Sequence, residues 1–151
     1  MPSQKIADYK TLLEEREEIT FVPSGNSMWP TFKDRGQTVV VKKKTARLKE
    51  FDVAFFEKDG IFALHRVLKV TDNGYITCGD SQFKTESVEE NAVLGVMKGF
   101  YKGERFIDAS DETYCKKVRK WYKRGNLRKF RIKCFYFLLR VKNKFKKIKK
   151  G

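Results

Sequence analysis

Ser27 lies in the run Gly25-Asn26-Ser27-Met28-Trp29-Pro30-Thr31, just after a short apolar stretch that ends at Pro23. A turn of this composition can hold a hydroxyl in solvent and aim backbone N–H groups at the same point. An attacking serine with an oxyanion hole needs both. His65, the chain's single histidine, stands in Ala63-Leu64-His65-Arg66-Val67. A neutral imidazole is the side chain best suited to accept a hydroxyl proton at neutral pH. Asp80 follows Gly79 at the end of an apolar run and supplies a carboxylate that could orient an imidazole. Each feature also has an ordinary reading. Serines in Gly/Asn/Pro turns mostly serve the turn, strand histidines are mostly surface or hydrogen-bonded core residues, and a Gly-Asp pair is mostly a turn. Triads are defined by geometry, which chain order does not supply.

The elements that must position these residues are short. From Ile19 to Asp108, β-branched and aromatic runs alternate with turn residues: Ile19–Pro23, Thr38–Lys42, Val53–Glu57, Ile61–Val70, Gly74–Cys78, Val93–Tyr101 and Arg105–Ile107. Asp59-Gly60 and Asn73-Gly74 are strong hairpin signals. Strands at this spacing predict a compact antiparallel sheet or small barrel. Before them, Pro2–Glu18 reads as a short amphipathic helix capped by Ser3, with Ile6, Tyr9 and Leu13 on one face. After them, 111–124 and 127–149 read as two helices broken at Gly125-Asn126. The expected organisation is an N-terminal helix over 1–18, a mainly β domain over 19–110 and a helical basic tail over 111–151.

The charge divides in the same place. The 151-residue chain has a net charge of +15, yet 112–151 carries 17 Lys and Arg against one acid, Glu112. The preceding body is nearly neutral, with 17 basic and 18 acidic residues. Three cysteines (Cys78, Cys115, Cys134) form no CxxC pair, and one histidine is too few for a typical zinc site, so free thiols in a reducing compartment are expected. The longest clean apolar run, Cys134–Leu139, is far short of the roughly 20 residues that span a bilayer. Pro2–Glu18 lacks an apolar signal region, which points to the cytoplasm.

Taken in order, Gly25-x-Ser27-Met28-x-Pro30-Thr31, Asp52-Val53-x-Phe55, His65-Arg66-Val67, Gly79-Asp80 and Gly95-Val96 resemble the type I signal peptidase and LexA-like serine peptidase superfamily. The resemblance runs from about Val22 to Phe100. It implies a small LexA/signal-peptidase-like β-barrel that cleaves peptide bonds with Ser27 as nucleophile. The base in the bacterial signal peptidases and LexA is a lysine; His65 before Arg66-Val67 is similar to the Ser-His branch. The resemblance makes Asp80 the orienting carboxylate, with Glu86, six positions on, as its rival. The N–H groups of Ser27 and Asn26 are the expected oxyanion donors, and no metal or cofactor is implied.

The expected function is therefore a serine endopeptidase that cleaves a leader or precursor peptide at or near the cytoplasmic membrane face. The alternative is a non-catalytic or self-cleaving basic protein with a peptidase-like fold. For the tail, three readings stand: an apolar stripe packed on the barrel, a nucleic-acid patch, or a peripheral contact with anionic membrane. The combination of apolar stripe and dense positive charge favours the membrane, ahead of packing on the barrel, with nucleic acid last.

Overall fold

The structure is a computed structural model that describes the backbone from residue 2 to residue 150 and the side chains from residue 9 to residue 150. Eight strands form one sheet, all pairs antiparallel, which curls into a half-barrel. They are β1 (Glu18–Phe21), β2 (Thr38–Lys43), β3 (Val53–Lys58), β4 (Ile61–Thr71), β5 (Gly74–Cys78), β6 (Glu86–Glu89), β7 (Val93–Lys102) and β8 (Arg105–Asp108). The spatial order is β1-β2-β7-β3-β4-β5-β6, with β8 also on β7. Helix α1 (Pro2–Arg16) precedes the sheet; α2 (Glu112–Lys123) and α3 (Asn126–Lys150) follow it. The Ser3 cap and Ile6 lie outside the described side chains.

Strand β3 shows why the sheet has two apolar faces. Val53, Ala54, Phe55 and Phe56 are all buried, so successive side chains pack on opposite sides. Val53 and Phe55 join Leu13, Ile19, Val41, Leu64 and Phe100 in one core. Ala54 and Phe56 join Leu48, Val67, Tyr75 and Val88 in a second. Helix α1 covers the first face: its Tyr9 ring meets those of Phe21, Phe55 and Phe62 at centroid distances of 5.2–5.9 Å. On the second face the fully buried Tyr75 accepts a hydrogen bond at its hydroxyl from the Leu48 N–H, 3.0 Å away.

The β3–β4 hairpin turns at Asp59-Gly60, both left-handed (φ 52° and 76°), as the Asp-Gly pair predicts. In the next hairpin Thr71 pairs with Gly74, so Asp72-Asn73 make the turn and Gly74 opens β5, where the run Gly74–Cys78 puts it. Strand β6 was not expected. Its Glu-Ser-Val-Glu sequence holds one apolar residue, Val88, and only an edge position on β5 makes such a strand workable.

The chain divides into two compact units after Lys116. In the first, the start of α2 is capped by Asp111, whose Oδ1 accepts the Tyr114 N–H at 2.8 Å. In the second, α3 runs 25 residues. Among the described residues, no helix is long and apolar enough to cross a membrane.

Candidate active site

His65 sits near the middle of β4, opposite Ala54 on β3. Its ring stands edge-on to Phe56, with centroids 5.8 Å apart. Nδ1 lies 2.5 Å from Oε1 of Glu86, the first residue of β6. A carboxylate can only accept, so Nδ1 carries the proton and Nε2 of the neutral ring is left as an acceptor. Glu86 reaches this position because β6 pairs with β5 starting at Glu86–Thr77, and Thr77 lies beside Val67 on β4. Its other oxygen faces the Lys58 ammonium at 3.8 Å.

The carboxylate on Nδ1 of His65 is thus Glu86 rather than Asp80. The Asp80 carboxylate is held by Arg66, the residue next to His65, whose side chain leaves the opposite face of the strand. Arg66 Nε and Nη2 donate to Asp80 Oδ1 and Oδ2 at 3.0 and 2.6 Å. Both side chains are 1% exposed. Thr31 Oγ1 also donates to Asp80 Oδ2, at 2.5 Å, and Arg66 Nη1 donates to the Phe51 carbonyl and the Tyr114 hydroxyl. Burial alone would lower the Arg66 pKa, but the Asp80 charge beside it raises it instead. For the Tyr114 hydroxyl burial acts in the other sense and raises the pKa. The guanidinium is therefore a permanent cation, and Asp80 is the counter-charge that makes its burial tolerable.

This buried hub holds the serine turn. Thr31, at the end of the Gly25–Thr31 run, is one of its members. Next to Asp80, the Ser81 N–H donates to the Ser27 carbonyl at 2.9 Å and Ser81 Oγ donates to the Asn26 carbonyl at 2.6 Å. Gly79 is required here, because a Cβ at that position would come within 2.5 Å of the Ser27 carbonyl oxygen. At its start the turn is closed by the Gly25 N–H donating to Asp34 at 2.7 Å.

The Ser27 carbonyl is thus engaged, whereas its Oγ and N–H make no hydrogen bond among the described residues. Ser27 is half-buried. It is not hydrogen-bonded to His65. What connects them is the framework: Arg66 pairs with Cys78 across β4 and β5, and β5 leads directly into Gly79-Asp80-Ser81. Asn26 has its carbonyl bound by both Ser81 and the Trp29 N–H.

Sequence reasoning missed Arg66, Thr31 and Tyr114 as parts of this site. The available signal was a strand alternation: Arg66 occupies the position two after Leu64, which faces the core. A charge at such a position needs a buried counter-charge. No protein-family model matches this chain, and none of the curated proteins matches it.

Proposed function

We propose that this chain is a serine peptidase of the signal-peptidase and LexA-like kind, with a Ser27–His65–Glu86 triad. The observation that carries the reading is Glu86 on Nδ1 of His65, which leaves Nε2 the ring's acceptor. In the reaction, Ser27 Oγ attacks the scissile carbonyl while His65 Nε2 takes its proton. The N–H of Ser27 donates to the oxyanion. The imidazolium, stabilised by Glu86, returns the proton to the leaving amine as the C–N bond breaks. Water then hydrolyses the ester by the same base. A hydrogen bond between serine and histidine often tightens only when substrate binds.

The substrate class that follows is a peptide or protein segment, a leader or precursor peptide in the first instance. The test is labelling by a fluorophosphonate probe together with turnover of a peptide library. Wild type should label and cleave, and Ser27→Ala should lose both, with turnover falling by several powers of ten. His65→Ala should lose turnover equally. A Ser27→Ala protein that cleaves as well as wild type overturns the assignment. Wild type that neither labels nor cleaves favours a non-catalytic binding role for the fold.

A further inference from the structure

Helix α3 carries two apolar stripes, and they have different fates. Ile132 is buried, with Phe135 and Leu139 half-buried beside it on the wheel. Phe130, Phe137, Leu138, Phe145 and Ile148 form the other stripe, at spacings of three, seven and eight, and all are 62–72% exposed. At 100° per residue they fall within a sector of roughly 100°. From Phe130 to Ile148 the stripe is about 27 Å long. Arg131 and Lys142 border it on one side, Lys133 and Lys144 on the other, and all four are exposed. No acidic residue occurs between Glu112 and the end of the chain.

We propose that α3 lies in the plane of an anionic lipid surface, with this stripe in the headgroup–acyl boundary and the flanking lysines and arginines on the phosphates. Charge selects the occupant. A second copy of the chain would bring the same 17 cations against themselves. A nucleic acid would satisfy the cations but leave three phenylalanines, a leucine and an isoleucine in water. A bilayer interface takes both, because it sets negative charge directly above hydrocarbon. Basic side chains at the border of the stripe reach upward to the headgroups while their methylenes stay in the apolar layer.

The test uses the full chain and vesicles of phosphatidylcholine with about one-third phosphatidylglycerol. Wild type should sediment with them, far less with phosphatidylcholine alone, and less as salt rises. Phe137→Ser combined with Leu138→Ser alters only exposed side chains, so the fold should persist by circular dichroism, while vesicle partitioning should fall at least about tenfold. In a separate variant, Phe145→Trp should show blue-shifted emission and quenching by brominated acyl chains. Three results would overturn the proposal. One is absence of sedimentation at low salt. Another is an introduced indole that stays unquenched despite vesicle binding. The third is salt-sensitive binding to duplex DNA that the serine substitutions leave unchanged, with no vesicle binding.

Discussion

An arginine with no access to water has to be neutralised where it sits, and Arg66 meets that need with Asp80 on two hydrogen bonds. Asp80 and Glu86, six residues apart, therefore do different work, and substitution should separate them. Asp80→Asn leaves a buried guanidinium without its counter-charge, and breaking such a pair costs about 3–5 kcal/mol. Glu86 is partly exposed, at 29%, and its partner ring is neutral when deprotonated. Glu86→Gln should cost under about 1 kcal/mol, the range of partly exposed ion pairs. Under the proposed mechanism it should still lower peptide turnover sharply, because the imidazolium loses its stabilising charge. Urea denaturation of both variants, beside their turnover rates, checks the division. An Asp80→Asn protein as stable as wild type would show that Arg66 does not depend on it. The resemblance read from the sequence left Asp80 and Glu86 as rivals. What separates them is which face of β4 each one reaches, and that depends on the pairing of β6.

At the level of elements, β7 pairs with β2, β3 and β8. Gly95 pairs with Lys43 on β2 and with Phe55 on β3, so three strands converge on one residue. A Cβ there would lie 2.6 Å from Val41 Cγ1 and 2.7 Å from the Lys42 carbonyl oxygen. Val41 is fully buried and the carbonyl belongs to the ladder, so neither has room to move. Gly95→Ala should cost about 1–3 kcal/mol, the usual range for overpacking, with a matching fall in the thermal midpoint. An unchanged midpoint would mean that the strands can separate there without loss. The strands with continuous or alternating apolar residues were legible in the sequence, as were the two tail helices, found at Glu112–Lys123 and Asn126–Lys150. Strand β6 was hidden because an edge strand needs only one inward side chain. The start of β5 was legible too, at Gly74, which pairs in the ladder with both Thr71 and Glu89 and leaves Asp72-Asn73 to make the turn. The Arg66 hub was illegible for a different reason. Its members come from five separate stretches of chain, and only tertiary structure brings Thr31, Phe51, Arg66, Asp80 and Tyr114 together.

Over the whole molecule, the change in charge and the change in compact unit nearly coincide, but they do not fall at the same residue. The charge changes character at Glu112, whereas the first unit continues to Lys116. Between them lies Tyr114, whose ring meets Phe100 at 5.5 Å and whose hydroxyl accepts from Arg66 at 3.0 Å. Where the chain is cut should therefore matter. A chain ending at Lys116 keeps the Asp111 cap, Tyr114 and every partner of Arg66. It should melt cooperatively near the full-length temperature and keep whatever peptide turnover the full chain has. A chain ending at Asp111 loses the Tyr114 ring from the core and one acceptor from a buried cation. A hydrogen bond to a charged group contributes about 1.5–3 kcal/mol, and burial of an aromatic ring adds a comparable amount. For a domain of this size, a loss on that scale lowers the melting temperature by well over about 10 °C. Both truncations remove α3, so neither should sediment with anionic vesicles. Calorimetry of the two fragments decides the matter. Equal melting temperatures would mean that Tyr114 is dispensable to the hub. Unfolding of the longer fragment would mean that the β body depends on the helices beyond it.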